Sequence, residues 1–249
     1  MTSSSEWSRE FDIMWNNITS NQAPGLSEYE KSVFLTRAQE DLVKDNFSDK
    51  TNILGEGFDD SARRQADFSA LIETKELDPV NISGGDAVLD KRSHNHYYEY
   101  PDDVLVVLNE VVVATVDTTD SFYTVVPVSY EEYTRLMKKP YKYPAKGLAW
   151  RLITGTGSTT SGNVTTYYKR AELIARIPND ASVEYTLRYV RRPQPIRLVI
   201  EGSDLTVDGD YTQSACELPA YMHDEILYRA VQLAKISWTD GATLQGQQK

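Results

Sequence analysis

Residues 104–116 read VLVVLNEVVVATV, in which two β-branched runs, Val104–Leu108 and Val111–Val116, stand on either side of Asn109 and Glu110. Val, Ile and Thr favour extended backbone because their branched side chains pack well on a pleated surface. Upstream of about residue 80 the apolar residues recur at helical spacing instead. These runs therefore mark the change from a helical region to a β region, and they decide the fold class.

The strand signal continues through the middle of the chain. Asp208-Gly209 lies between Leu205–Val207 and Tyr211 and has the composition of a tight hairpin turn, because this dipeptide accepts positive φ angles readily. Successive strands joined by short turns predict a mostly antiparallel sheet. The remaining predicted strands are Phe122–Val128, Leu148–Thr154, Val164–Ile177 and Val183–Val190.

Helical patterns flank the β region on both sides. Trp7, Phe11 and Trp15 lie on one helical stripe, and the pairs Ser3/Glu6 and Ser27/Glu30 have the spacing of capping boxes. A second helix is predicted to end near Phe47 and a third to span 60 to about 77. A C-terminal helix is predicted from Pro219 to Trp238, with a stop at Gly241.

Together these patterns predict an α+β fold, a bundle of three N-terminal helices and one C-terminal helix with an inserted, mostly antiparallel β domain. A β domain is placed between the helices because three short amphipathic helices cannot bury their stripes alone. The predicted boundaries are 1–80 for the N-terminal helices, 81–215 for the β domain with a short helix near 129–139, 216–238 for the last helix and 239–249 for a flexible tail.

Composition restricts the function. The chain has 249 residues, of which 40% are hydrophobic and 25% charged, so it can bury roughly 70 to 75% of its unfolded surface as one or two domains. Its net charge of -11 argues against a protein that wraps nucleic acid. Cys216 is the only cysteine, which excludes an internal disulfide. The sequence contains neither a signal peptide pattern nor a window resembling a membrane span, so we expect a soluble protein.

No motif predicts catalysis, a cofactor or a metal. His94 and His96 could share one face of a strand, but His223 is the only other histidine and no third ligand lies nearby. The stretch from Gly155 to Gly162, GTGSTTSG, lacks the Gly-Lys-Ser/Thr ending of a phosphate loop and is interpreted as a flexible hairpin loop. The sequence therefore gives no reason to predict an enzyme.

One further stretch, SYEEYTRLMKKPYKYPAKGLAWRL at residues 129–152, concentrates aromatic and basic residues. Ser129 and Glu132 predict a capped helix that Pro140 ends, followed by an extended segment rich in proline and tyrosine. Two interpretations stay open. The aromatics could pack on the protein's own sheet, or they could form a docking surface, since Tyr, Trp and Arg dominate interface centres.

Several sequence segments resemble the head-to-tail connector proteins of short-tailed, crAss-like bacteriophages, of the portal adaptor or tail tubular type. The segments occur in the same order as in that family, and together they span most of the chain. They are FLTRAQEDLVKDNF at 34–47, VVPVSYEEYTR at 125–135, KPYKYP at 139–144, YTLRYVRRP at 185–193, ELP at 217–219 and HDEI at 223–226.

The resemblance implies a non-catalytic virion protein, made in the host cytoplasm, that forms a ring of about twelve copies under the portal. Such a ring binds the portal on one side and the next tail protein on the other, and genomic DNA passes through it without sequence-specific binding or any contact with a membrane. An acidic chain suits such a conduit, because many Lys and Arg contacts would grip the DNA. Another tail or capsid accessory protein, or an acidic enzyme with an unrecognised site, remains the alternative.

The aromatic and basic residues nominate subunit or portal contacts. The tail 239–249 is further interpreted as a docking peptide for the portal, with Trp238 at its hinge, because it has no apolar stripe to bury. The nominated residues are Tyr130, Tyr133, Arg135, Lys138, Lys139, Tyr141, Tyr143, Trp150, Arg191, Arg192 and Trp238.

Overall fold

The computed structural model describes residues 4–19, 25–47, 62–80, 95–138, 143–161, 164–178, 180–198, 207 and 212–246. The α-helices within these ranges are α1 (Ser4–Thr19), α2 (Glu28–Phe47), α3 (Ala62–Phe68), α4 (Tyr130–Met137) and α5 (His223–Gly246). The strands are β1 (Ile72–Glu76), β2 (Asn95–Tyr100), β3 (Val104–Val116), β4 (Thr119–Pro127), β5 (Leu148–Ser161), β6 (Val164–Ala175) and β7 (Ser182–Arg191). Short 3-10 segments, Ser69–Leu71 and Ala220–Met222, follow α3 and precede α5.

The chain divides into two compact units, Met1–Leu71 with Arg192–Lys249, and Ile72–Arg191. The helical unit contains α1, α2, α3 and α5, while the β unit contains β1 to β7 and α4. The predicted α+β class, with a mostly antiparallel sheet inserted before the last helix, is confirmed. The β unit begins at Ile72 and ends at Arg191, whereas the sequence pattern predicts boundaries at 81 and 215.

Apolar stripes hold the helical unit together. On α1, Trp7, Phe11 and Trp15 recur every four residues and are buried, and on α5 Ile226 and Ala230 show the same spacing and burial. Residues spaced by four lie on one helix face, so each stripe forms a continuous apolar surface. α5 packs against both α1 and α2 along these surfaces.

A reciprocal capping box starts α2. The Glu30 N–H donates to Ser27 Oγ at 3.3 Å, and the Ser27 N–H donates to Glu30 Oε2 at 2.8 Å. Two backbone donors that the first helical turn leaves without intrahelical partners are thereby satisfied. This is the second capping box that the sequence predicts; Ser3, which belongs to the first, lies outside the described residues.

A buried ammonium group links α1 to α2. Lys31 Nζ lies 2.8 Å from Asp12 Oδ2 and 3.0 Å from Glu28 Oε1, and it also donates to Ser8 Oγ. Burial alone would lower the pKa of Lys31, but the hydrogen bonds to Asp12 and Glu28 outweigh burial and raise its pKa above the ordinary value. The cation is therefore fully paired, as a buried charge requires.

Two hydroxyl groups of α2 bind the segment that follows the β unit. Leu198 N–H donates to Ser32 Oγ at 3.0 Å, and Ile196 N–H donates to Thr36 Oγ1 at 3.1 Å. Thr36 donates in return to the Ile196 carbonyl at 3.3 Å. Because all of these groups are buried, the hydroxyls replace water as partners of the segment's backbone.

The strand order in the β unit is β1-β7-β3-β4-β5-β6-β2, and only the β4–β5 pair in this order is parallel. β3 is one long strand that includes both β-branched runs and the Asn109 and Glu110 between them. The pairing of β3 with β7 contains two register shifts, one between Val104 and Val106 and one between Val107 and Asn109, as β-bulges produce. Glu110 is buried, in register with the inward alternation of Val112 and Ala114.

The sheet closes into a barrel. β1 lies at one end of the strand order, where it pairs with β7. Residues 78–80, which follow β1, pair with β2 at the other end of the order. Val80 N–H donates to the Tyr97 carbonyl at 2.7 Å, and Glu99 N–H donates to the Asp78 carbonyl at 3.0 Å. One continuous segment thus joins both edges, which removes the free edges of an open sheet.

Inward-facing side chains fill this barrel. The rings of Tyr98 on β2 and Tyr185 on β7 lie 5.1 Å apart with their planes at 85°, an edge-to-face contact. Strand alternation supplies the rest of the cluster, which is made of Leu77, Tyr100, Val112, Ala114, Tyr123, Val125, Ala149, Ala171, Leu173, Ala175, Ile177, Leu187 and Tyr189.

The third predicted helix is too long. α3 ends at Phe68, and Ile72–Glu76 is strand β1, not the end of a helix. The pattern of this segment is ambiguous, and its pairing with 186–190 of β7 determines the outcome. Pairing between residues distant in sequence overrides a weak local preference.

Two glycine-based predictions are also corrected. Gly155 to Ser161 is part of β5 and pairs with β6, so this stretch is not a loop. Gly155 lies at a register shift and has a φ of +110°, a backbone conformation that residues with a side chain rarely adopt. α5 continues past Gly241 to Gly246, because one helical glycine costs only about 1 kcal/mol relative to alanine. Residues 208–211, where a hairpin turn is predicted, and 247–249 lie outside the described ranges. No α-helix that the structure describes is both long and apolar enough to cross a membrane.

Candidate assembly surfaces

α4 is the helix that the Ser129 and Glu132 spacing predicts. Ser129 Oγ accepts a hydrogen bond from the Glu132 N–H at 3.2 Å, and Glu131 and Glu132 lie in the first turn, where the helix dipole favours negative charge. Val128 N–H, just before the cap, donates to the Arg151 carbonyl at 2.9 Å. The start of α4 is therefore fixed to strand β5.

The inner side of α4 packs on the protein's own sheet. Tyr133 and Trp150, which the sequence nominates as contact residues, are 6% and 9% exposed. Both belong to an apolar cluster, the α4 cluster, that is completed by Val128, Leu152 and Ile174. For these two nominated residues the alternative that the aromatics pack on the chain's own sheet holds.

Tyr143 lies at the margin of the α4 cluster. Its hydroxyl donates to the Ala175 carbonyl at 3.4 Å, and its ring lies 6.2 Å from that of Trp150. The Arg176 guanidinium stacks on the outer side at 5.5 Å from the ring centroid. Tyr143 is half-buried and thus shared between this cluster and the surface.

The outer side of α4 carries Tyr130, Arg135 and Lys138, which we call the α4 surface. Tyr130 is 60% exposed, and both basic residues are exposed. Arg135 lies 3.7 Å from Glu132, an exposed pair that contributes at most about 1 kcal/mol. This surface combines an exposed tyrosine with an arginine, two residue types that are enriched in interface centres. Lys139 and Tyr141 lie outside the described residues.

The nominated arginines are bound within their own units. Arg191 Nε lies 4.0 Å from Glu73 Oε2 in the β unit, whereas Arg192 Nε donates to Glu40 Oε1 at 2.6 Å in the helical unit. Burial alone would raise the pKa of Glu40, but hydrogen bonds from Arg192 and Lys44 lower it below the ordinary value. Both arginines therefore have a carboxylate partner within the chain.

Trp238 lies where the buried stripe of α5 emerges into solvent. Ile226, Ala230 and Ala234 are buried, and Trp238, the next residue at a spacing of four, is 40% exposed. The same face of α5 is therefore covered earlier along the helix and partly uncovered at Trp238.

A polar network that the sequence did not predict lies inside the barrel. Tyr185 donates to Glu110 Oε1 at 3.0 Å, Arg151 Nε lies 3.3 Å from the same oxygen, and Arg151 Nη1 donates to Tyr100 Oη at 2.8 Å. Burial raises the pKa of Glu110, against the opposing influence of Arg151 and of the Tyr185 hydrogen bond, and burial raises the pKa of Tyr100 to about 12. Only the alternation of β3 and β5 could have indicated that these charges face inward.

The Cys216 thiol and the His223 imidazole are both held in contacts within the protein. Burial raises the pKa of the Cys216 thiol to about 11, which makes it a poor nucleophile. The His223 ring nitrogen lies 3.0 Å from the Leu218 carbonyl, and its ring lies 5.0 Å from that of Trp7. Within the described part of the chain, no three His, Cys, Asp or Glu residues come together as metal ligands would.

Phe122 is an exposed residue that the sequence analysis did not nominate. It is 67% exposed on the outer face of β4, whereas its neighbour Tyr123 is buried in the barrel. The signal was present, because two adjacent apolar residues in a strand must point to opposite faces.

Comparison with known proteins covers nearly the whole chain. The model of one protein family, described as phage tail ring protein 3/4, matches residues 1–246. Ring protein 4/5 of Bacteroides phage crAss001 is 46% identical over 236 residues, which cover 94% of this chain and 92% of that protein. Ring protein 3 of the same phage is 32% identical over 240 residues, which cover 94% of this chain and 95% of that protein.

Proposed function

Since this chain belongs to the phage tail ring protein 3/4 family of crAss-like phages, we propose that it forms a closed ring beneath the portal. There it joins the capsid to the tail and encloses part of the channel through which the genome leaves. The chain is a structural component of the virion tail and not an enzyme.

The observation that carries the proposal is the similarity over more than nine-tenths of two proteins that are both named ring proteins. The match is not limited to one unit, so both the helices and the barrel take part in it. The net charge of -11 supports a conduit role, because an acidic wall does not retain DNA phosphates. DNA therefore passes without sequence-specific binding.

The ring contains about twelve copies of this chain in the proposed arrangement. Its partners are the portal on one side and the next ring or tail protein on the other. A closed ring requires two different surfaces on each copy, because contacts between neighbouring copies are head-to-tail. The α4 surface, with Tyr130, Arg135 and Lys138, supplies one contact of this assembly.

The C-terminal end of α5 supplies the contact with the portal. Trp238 exposes apolar area there, and residues 239–249 contain three glutamines and two glycines but only Leu244 as a large apolar residue. A segment of this composition contributes little to a bundle on its own and gains contacts when a partner supplies the surface.

Deleting 239–249 tests this portal contact. We expect the shortened protein to keep its melting temperature, with only a small loss of helical signal in the far-ultraviolet spectrum, because the buried stripe of α5 ends before the deletion. Binding to the portal, measured by sedimentation or by biolayer interferometry, should be lost.

A point substitution provides a second test of the same contact. Trp238→Ala in the full-length chain should weaken portal binding about 10- to 100-fold, the range expected when one aromatic anchor is lost from an interface. Unaltered portal affinity after the deletion would show that the portal contact lies elsewhere on the chain.

A further inference from the structure

The hairpin formed by β5 and β6 extends beyond the barrel. Their pairing continues from Gly155↔Arg170 to Ser161↔Val164. β4 pairs with β5 only as far as Arg151, and β2 pairs with β6 only as far as Lys169. We call 155–161 with 164–168 the ribbon, because in the described ranges 155–161 pairs only with β6 and 164–168 pairs only with β5.

The sequence explains why the flanking strands stop. β4 ends at Pro127 and is followed by the cap of α4, while β2 ends at Tyr100 and is followed by Pro101 and a turn at 102–103. Proline cannot donate to a strand ladder, and a helix leaves the sheet altogether. With a rise of about 3.3 Å per residue, the ribbon projects roughly 20 Å past its neighbours.

The composition of the ribbon is unusual for an unpaired edge. Residues 152–168 form the longest stretch of this chain without Asp, Glu, Lys or Arg, and they contain no proline. Isolated two-stranded ribbons are marginally stable in water, and natural proteins protect free edges with charge or proline. An uncharged ribbon that keeps its edge available is therefore suited to pairing with another chain.

A matching edge exists on β4. Residues 119–124 pair with β3 on one side, but β5 pairs with β4 only from Thr124 to Pro127. On the other side of 119–123 the described residues place no strand, and Gly147, which precedes β5, lies close to the Phe122 carbonyl at one end of this edge. Phe122 is 67% exposed on this edge, and the Asp120 carboxylate accepts from Thr115 Oγ1 at 2.9 Å, which partly satisfies its charge.

We propose that the ribbon of one copy adds as a strand to the 119–123 edge of β4 in the next copy. The inference rests on the proposed ring, in which copies meet head-to-tail. Each copy carries a net charge of -11, so two copies repel, and contact is most favourable where one surface has no charge. Ribbon and edge are different elements, so the contact is heterologous and can close a ring.

Chemical cross-linking tests the pairing directly. In a Cys216→Ser background, the variant with both Asp120→Cys and Ser158→Cys is mixed with the portal and treated with a short, flexible bismaleimide. We expect a ladder of covalent multimers on a denaturing gel, because every copy carries both halves of the contact. The single Cys variants are the matched controls, and they should stay monomeric.

A second arm separates this inference from the proposed function. Replacing 158–167 by Asn-Gly, which leaves the native pair Gly157↔Tyr168 on either side of the new turn, should leave the melting temperature within a few degrees of the full-length value and reduce ring formation at least tenfold. If the shortened chain does not fold, Ser158→Lys with Thr160→Lys provides the same test. Thr74→Lys with Ser182→Lys adds equal charge at exposed strand positions outside the ribbon and should leave ring formation unchanged.

Each outcome supports or overturns a specific statement. Rings from both the full-length and the shortened chain overturn the ribbon contact and leave the proposed function intact. Loss of rings without a cross-linked ladder assigns the ribbon to the portal or to another surface of the neighbouring copy, and it overturns the β4 edge as the partner of the ribbon. No ring from the full-length protein with its portal overturns the proposed function itself.

Discussion

Arg151→Met should destabilise the protein by about 3–5 kcal/mol, the cost of leaving a buried charge without its partner. Glu110 and Arg151 are 4% and 11% exposed, and their closest atoms are 3.3 Å apart inside the barrel. Removing the guanidinium leaves Glu110 with the Tyr185 hydrogen bond as its remaining support. Chemical denaturation of the isolated protein measures the effect.

The pH dependence of this loss identifies its cause. Burial already raises the pKa of Glu110, while Arg151 opposes that shift, so the variant has a still higher Glu110 pKa. As pH falls through that pKa, the folded state takes up a proton and the unpaired charge disappears. The destabilisation should therefore shrink from pH 8 to pH 5.

Glu110→Gln combined with Arg151→Met is the control, and it should recover most of the lost stability at pH 8. A loss below about 1 kcal/mol would show that the pair contributes little to the barrel. A loss that is the same at both pH values would show that its cause is not the unpaired Glu110 charge.

Trp150→Ala should cost about 3–5 kcal/mol of folding stability, because it opens a cavity in the α4 cluster. Trp150 is 9% exposed and packs with Tyr133, Leu152 and Ile174. The free energy of unfolding, measured without the portal, gives this contribution directly.

Tyr130→Ala is the matched control for an aromatic residue outside the core. Tyr130 is 60% exposed, so its loss should change folding stability by less than about 0.5 kcal/mol. It should weaken ring assembly instead, by roughly 1–3 kcal/mol for each contact. If Trp150→Ala left the folding stability unchanged and weakened ring assembly, Trp150 would be an interface residue and not part of the core.

The helices and the fold class could be predicted because their signals are local. Trp7, Phe11 and Trp15 share one face whatever the rest of the chain does, and the Ser27 and Glu30 capping box acts within a single turn. The closure of the barrel could not be predicted in this way. β1, Ile-Glu-Thr-Lys-Glu, has little strand character, and its pairing partners lie more than 100 residues away in β7.

The candidate surfaces were only partly predictable for a related reason. Sequence placed α4 correctly in the chain but could not separate buried Tyr133 from exposed Tyr130, since one helix presents both faces. The glycines and serines of 155–161 resemble a loop, and only their pairing with β6 makes them a strand. Composition indicates how flexible a segment is, but whether the segment forms a strand depends on the strand with which it pairs.

Electron cryomicroscopy of the protein bound to its portal tests the central claim most directly. We expect a closed ring of about twelve copies, coaxial with the portal, with an open central channel, the α5 ends facing the portal and the ribbons bridging neighbouring copies. Monomers or trimers attached away from the portal axis, or a portal without added density, would contradict the proposed ring.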